Sequence, residues 1–260
     1  MKKFIYTYWK TLLFFGIIGL VGGFFVGLYL LDSYPAEIQQ QLIAEMEKAG
    51  ISGIPANILL GIVTAFQSLG YGVILGGIGI FLGKKIGLWK DEKTIKKQPL
   101  IAALIIAVVG GLALILPDVL WFGQKSQAIM DTYSAKPTIP YLIATVTYGA
   151  VIEEVMLRLF AMSLVAFILH KIFGKKEEKP SVTLLVVSNI AAALLFAVGH
   201  LPTNIMLFGG SFLIIFRCIL LNSVFGLAFG WLYRKYGLRY AMIAHGGCHI
   251  LSKLIWILFI

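Results

Sequence analysis

The sequence predicts an all-α fold, a polytopic transmembrane bundle of about seven helices around a water-accessible intramembrane cavity. Three observations lead there. Of 260 residues, 59% are hydrophobic and only 13% charged, with mean hydropathy +0.91, whereas a soluble domain carries about twice that charge fraction. Apolar runs of the ~20 residues needed to cross a bilayer recur along the chain. The basic residues fall in blocks between alternate runs, so the formal charge of +10 reflects membrane topology. With no basic groove pattern and no aromatic RNA motif, the chain is not expected to bind nucleic acid. The bilayer itself is the first partner.

The start, MKKFIYTYWKTLLFFGIIGLVGGFFVGLYLL, has the basic beginning of a signal peptide. Its apolar run is about twenty residues long and lacks a small-x-small cleavage site, so it reads as a retained first helix. Seven spans follow from hydropathy: 11–31, 56–83, 100–122, 140–170, 182–200, 208–233 and 240–259. The second and fourth are long enough to tilt, kink or project from the bilayer. Between the first two, PAEIQQQLIAEMEKAG is polar and helix-prone, and reads as a short surface helix within 35–53. Gly72, Gly76, Gly79 and Gly83, with Gly226 and Gly230, give the small-xxx-small spacing of closely packed helices. Cys218 and Cys248 lie in or beside apolar segments and indicate no disulfide framework.

The loops orient the bundle. Lys2, Lys3 and Lys10 precede the first span; Lys84, Lys85, Lys90, Lys93, Lys96 and Lys97 follow the second. Lys171, Lys175, Lys176 and Lys179 follow the fourth, and Arg234, Lys235 and Arg239 the sixth. Sixteen of the 22 basic residues thus lie on one side, which the positive-inside rule places, with the N-terminus, in the cytoplasm. The Ile- and Lys-rich, charge-poor composition resembles that of a bacterial inner (plasma) membrane protein.

Charges at mid-span need a separate account, because an ionised group in the bilayer costs several kcal/mol. The stretch YGAVIEEVMLRLFA puts Glu153, Glu154 and Arg158 near the middle of span 140–170. Glu154 and Arg158 are four residues apart on one helical face and form an expected ion pair. Glu153 projects ~100° away, so one carboxylate is held by the arginine while the other faces a cavity. Adjacent carboxylates also push their pKa values apart, which suits one of them to move a proton. Candidate partners are His200 in LLFAVGHLP, and His245 and His249 in AMIAHGGCHI. If spans 140–170 and 182–200 form an antiparallel hairpin, the midpoint of residues 153 and 200 falls in the polar loop GKKEEKP, and Glu153 and His200 share a depth. His245 follows the next basic turn by only seven to nine residues and is expected to lie shallower. His170 reads as interfacial, Arg217 and Lys253 as snorkelling at the outer interface, and Asn189, Asn204 and Asn222 as packing residues that can line the cavity.

Glu153-Glu154-x-x-x-Arg158, Phe196-x-x-x-His200 and His245-x-x-x-His249 resemble, in this order, the three motifs of the CPBP family: CAAX proteases and bacteriocin-processing intramembrane proteases, related to CAAX prenyl protease 2. The approach NSVFGLAFGWLYRKYGLRYAMIAH resembles the family as well, and the likeness covers roughly 140–252. The family's last motif ends in Asn or Asp where this chain has His249. The resemblance implies an N-terminal helical part, 1–139, and a catalytic core, 140–260, within one continuous membrane domain. It also implies peptide-bond hydrolysis in a membrane-associated or lipidated peptide or protein substrate, or bacteriocin immunity in a non-catalytic relative. Two arrangements remain open. In one, Glu153 is general base on a water, His200 assists, His245 and His249 hydrogen-bond the developing oxyanion, and Arg158 holds Glu154. In the other, His200, His245, His249 and a glutamate such as Glu153 bind a divalent metal such as zinc, although the His-Glu-x-x-His helix motif is absent. A proton-coupled transporter would also place such residues at mid-membrane, but no internal repeat of the carrier kind is present.

Overall fold

The computed structural model describes residues 2–91, 94–174 and 177–260. Lys93, Lys175 and Lys176, which enter the charge pattern, lie outside the described residues, and Lys2 is described through its backbone alone. Among the described residues all regular structure is helical. In chain order the helices are α1 (Lys2–Ser33), α2 (Ala36–Lys48), α3 (Ala56–Lys85), α4 (Lys97–Lys125), α5 (Gln127–Tyr133), α6 (139–173), α7 (Val182–Phe208), α8 (Phe212–Tyr236) and α9 (Leu238–Phe259). Six of them (α1, α3, α4, α7, α8 and α9) are long and apolar enough to cross a membrane by length and composition. The seventh expected span, α6, is helical throughout but is not one of those six. It carries the three mid-helix charges and is enclosed by α1, α3, α7, α8 and α9.

Local chemistry explains where the C-terminal helices begin and end. Thr138, Ser181 and Ser211 cap α6, α7 and α8, their hydroxyls accepting from the amides of Tyr141 (3.4 Å), Leu184 (3.3 Å) and Ile214 (3.4 Å), which satisfies otherwise orphaned first-turn donors. Gly209 (φ 85°) and Gly237 (φ 109°) make the tight turns into α8 and α9, in a backbone region glycine enters freely. The sequence places the end of the fifth span at His200; α7 instead continues two turns further to Phe208, through Pro202. A proline forfeits one backbone hydrogen bond, which a membrane helix tolerates where neighbours and side chains compensate. The surface helix expected within 35–53 is α2, with no buried residue. The short helix α5 has no counterpart in the hydropathy pattern.

The lysine-rich helix ends gather on one face. Tyr8 hydrogen-bonds Asp91 (3.3 Å) and receives the Lys84 ammonium. Lys90 Nζ donates to the Lys235 carbonyl, and the Lys96 amide donates to Tyr240 Oη (2.8 Å). The opposite, lysine-poor face is tied by rings, Tyr29 on Tyr141 and Tyr133 on Trp256, both at 5.0 Å.

Glycines set the spacing around α6. A Cβ on Gly79 would lie 2.7 Å from Leu159 Cγ and 2.8 Å from the Leu159 carbonyl oxygen, so α3 and α6 meet nearly backbone to backbone beside Arg158. Gly226 approaches Ala193 Cα in the same way, at 2.7 Å from its notional Cβ. Both belong to the small-residue spacing read from sequence. Gly79→Ala is expected to lower the melting temperature in detergent, since overpacking costs about 1–3 kcal/mol. Gly70→Ala, whose Cβ meets nothing within 4 Å, is expected to leave it unchanged or raise it through helix propensity.

Candidate active site

Around the two glutamates the backbone of α6 widens to i→i+5 hydrogen bonding over Thr145–Glu153 and again over Val155–Met162. Such wide turns are rare and frequent at functional sites. The two carboxylates end in different surroundings. Glu154 is fully buried, with Arg158 Nη1 at 3.3 Å and His245 Nδ1 at 2.9 Å from its Oε1. The guanidinium lies between two rings, 4.7 Å from Phe196 and 5.5 Å from Phe229. Arg158 is at ion-pair distance but not in hydrogen-bond alignment, and Glu154 Oε2 has no hydrogen-bond partner among the described residues. Glu153, with 19% of its side chain exposed, lines a cavity of about 670 Å³.

His245 connects the two glutamates. Its Nδ1 meets Glu154 and its Nε2 lies 3.9 Å from Glu153 Oε2, beyond direct hydrogen bonding. Because a carboxylate only accepts, the proton of that bond sits on Nδ1. The ring stacks on Phe229 at 4.6 Å and on His249 at 5.0 Å. His200, on α7, contacts the Phe196 ring at 4.6 Å and directs Nδ1 at the Phe196 carbonyl (2.8 Å). A carbonyl cannot donate, so Nδ1 carries hydrogen and a neutral His200 keeps its lone pair on Nε2. His249 Nδ1 is buried without a hydrogen-bond partner among the described residues.

Glu153, His200, His245 and His249 all line the one cavity, while Glu154 and Arg158 stand behind it. The structure thus brings His245 to the level of the glutamates, although its short distance from the preceding turn suggests a shallower position. The long α6, whose final turns run well past Arg158 to Phe173, absorbs the mismatch. As for metal binding, no group of three or more His, Cys, Asp and Glu side chains fit to hold an ion occurs among the described residues. The arrangement with His200, His245, His249 and Glu153 as ligands therefore has no geometric support.

Several participants are invisible to sequence reasoning. Gly149 lies one turn before Glu153, and a Cβ there would sit 3.3 Å from His249 Nε2 and 3.9 Å from His245 Nε2. The lone glycine in YGAVIEE is the only signal. Phe229 supports both His245 and Arg158. Asp118, near the end of α4, binds Arg217 through Nε (2.5 Å) and Nη2 (2.5 Å) and accepts from Tyr133 (2.9 Å). Arg217 is therefore a half-buried partner of Asp118 and of Asn204 (3.2 Å); the complementary Asp118 lies 99 residues away, beyond any local pattern. Burial first, then the Asp118 charge and hydrogen bond, hold the Tyr133 phenol above its usual range, which keeps it a donor. Asn204 and Asn222 line the cavity, whereas Asn189 has the packing role expected of all three, donating to the Leu227 carbonyl (3.0 Å) between α7 and α8.

These features define a multi-pass helical membrane protein with a polar site inside the bundle. Residues 135–251, a little under half of the chain, match the family model described as type II CAAX prenyl endopeptidase Rce1-like. The CPBP/CAAX protease assignment expected from the motifs agrees with it, and the matched stretch includes all seven motif residues. No curated protein and no solved structure matches the chain.

Breaking a buried ion pair by removing one partner typically costs about 3–5 kcal/mol. Arg158→Met and Glu154→Gln are each expected to destabilise the protein on that scale, and the double variant by much less than their sum. Unfolding in detergent, analysed as a double-mutant cycle, measures the coupling.

Proposed function

We propose that the chain is an intramembrane endopeptidase that hydrolyses peptide bonds in membrane-associated or lipidated substrates with a glutamate-activated water. The observation that carries this reading is the division between adjacent carboxylates: Glu154 is held by Arg158 and His245, and Glu153 is free to face the cavity shared with three histidines. A structural ion pair needs one glutamate; the second has a task.

The chemistry follows from the donor and acceptor inventory. Water entering the cavity gives a proton to the Glu153 carboxylate as its oxygen bonds the scissile carbonyl carbon. His200, with hydrogen fixed on Nδ1, offers Nε2 as a second acceptor and holds the water in line. The developing oxyanion takes hydrogen bonds from His249 and from Nε2 of a doubly protonated His245, whose Nδ1–H stays on Glu154. As the C–N bond breaks, the proton on Glu153 passes to the leaving nitrogen. Arg158 and Glu154 are positioning residues: they fix the ring of His245 and keep the α6 face ordered. The lysine-rich face lies in the cytoplasm by the positive-inside rule, in the plasma membrane of a bacterial cell, and the cavity opens among the lysine-poor helix ends.

In liposomes the protein is expected to cleave an apolar membrane-bound peptide. Glu153→Gln and His200→Gln each lower the rate by at least about 100-fold, the scale of general acid–base catalysis, without loss of melting temperature. Undiminished cleavage in Glu153→Ala, Glu154→Ala and His200→Ala would remove the site. Solute flux without proteolysis would favour the carrier. Stoichiometric metal, with activity lost on chelation, would replace the glutamate–water route by the metal-dependent one.

A further inference from the structure

The cavity wall formed by α9 carries more than the histidines. His245, His249 and Lys253 follow at four-residue steps on one helical face, and all three line the cavity. Lys253 is half-buried, and its ammonium lies 4.8 Å from the Tyr141 ring centroid and 5.8 Å from that of Trp256. Among the described residues it makes no salt bridge. The other cations near this end of the cavity are occupied. Arg217 is bound to Asp118, and Lys136 Nζ donates to the backbone carbonyls of Ile257 (2.9 Å) and Trp256 (3.5 Å). Of the acids that line it, Asp118 is paired with Arg217 and accepts from Tyr133, Asp131 accepts from Gln127 at 2.8 Å, and neither Asp32 nor Glu153 forms a salt bridge with Lys253. Lys253 is thus a cation aimed into the reaction cavity, steadied by two aromatic faces, with no carboxylate of its own.

We propose that Lys253 is a specificity-determining residue that binds a carboxylate of the substrate, two to four residues from the peptide bond under attack. This rests on the protease reading of the same cavity and adds to it the chemistry of the substrate. At ~1.5 Å rise per residue, Lys253 lies roughly 6 Å along the helix from His249 and 12 Å from His245. An extended peptide covers ~3.3–3.6 Å per residue, so a chain whose carbonyl sits at the histidines brings a carboxylate two to four residues on to the ammonium. Cation–π contact leaves the N–H donors free for a charge-assisted hydrogen bond. The carboxylate can be a C-terminus or an acidic side chain, and the same panel of peptides tells them apart.

The experiment uses the full-length protein in liposomes of zwitterionic lipid. The probes are fluorophore-labelled apolar hexapeptides of Leu, Val and Ala, made as the C-terminal acid, as the C-terminal amide, and as the amide with one internal Glu. Binding by fluorescence anisotropy is measured beside cleavage, so absence of hydrolysis would count against the protease reading and leave this one tested by affinity. The acid or the Glu peptide is expected to bind about tenfold more tightly than the neutral amide, the worth of one charged hydrogen bond. Lys253→Met removes that preference and leaves the amide unaffected, while Lys253→Arg restores it. Where cleavage occurs, the loss falls in KM and not in kcat. Equal affinity for charged and neutral peptides in the unmodified protein, or equal weakening of both by Lys253→Met, would overturn the proposal. So would a preference seen only with anionic lipid, which would make Lys253 a headgroup contact.

Discussion

Arg158 and Glu154 meet 3.3 Å apart with side-chain exposures of 1% and 0%, and both charges have lost water without gaining an aligned hydrogen bond to each other. Desolvation on this scale is only partly offset by Coulomb attraction. The remainder comes from neighbours on three other helices: the Phe196 and Phe229 rings around the guanidinium, and His245 Nδ1 on the carboxylate. Each contact is useful only while α6, α7, α8 and α9 keep their places. The charge cluster therefore demands the bundle, and the bundle is organised around the one helix that carries the cluster.

That demand explains the glycines and the wide turns together. Charges at mid-span survive when neighbouring helices exclude lipid, and exclusion requires close approach. Gly79 lets α3 reach the Leu159 backbone, and Gly149 leaves room for His249 beside α6. The i→i+5 stretches on both sides of Glu154 alter the spacing of side chains along α6. The outcome is asymmetric: one carboxylate faces protein and its neighbour faces the cavity. Identical side chains one residue apart thereby acquire different surroundings, which is the basis for proposing a supporting role for Glu154 and a reacting role for Glu153.

The cavity also has two chemically different ends. Near the glutamates it offers proton acceptors and ring nitrogens. Towards the lysine-poor face, Asp118, Arg217, Tyr133 and Asn204 form a closed polar network that joins α4, α5, α8 and α7 and hydrogen-bonds back to the His200 carbonyl through Asn204 (3.0 Å). Because its members satisfy one another, this network shapes the wall. Lys253, cradled by rings, is the cation left to meet a ligand. A cavity with a fixed acid pair and one available cation is suited to a substrate that enters in a defined direction.

Read alone, the sequence determined the properties that depend on composition and short spacing. Hydropathy delimits the spans because lipid demands continuous apolar helices. The loop lysines alternate because orientation is set by local charge. The i,i+4 spacing pairs Glu154 with Arg158, and three motifs resemble those of a protease family. Tertiary structure alone decided what depends on neighbours far along the chain: that His245 reaches both glutamates, that Phe229 backs the arginine, and that Arg217 belongs to Asp118. It also made Gly149 a requirement of the site. The physical reason is that depth and facing in a bundle come from helix tilt, projection and local widening. The extra length of α6 beyond Arg158 and its two wide turns move side chains by whole residues, a displacement that periodicity in one helix cannot register.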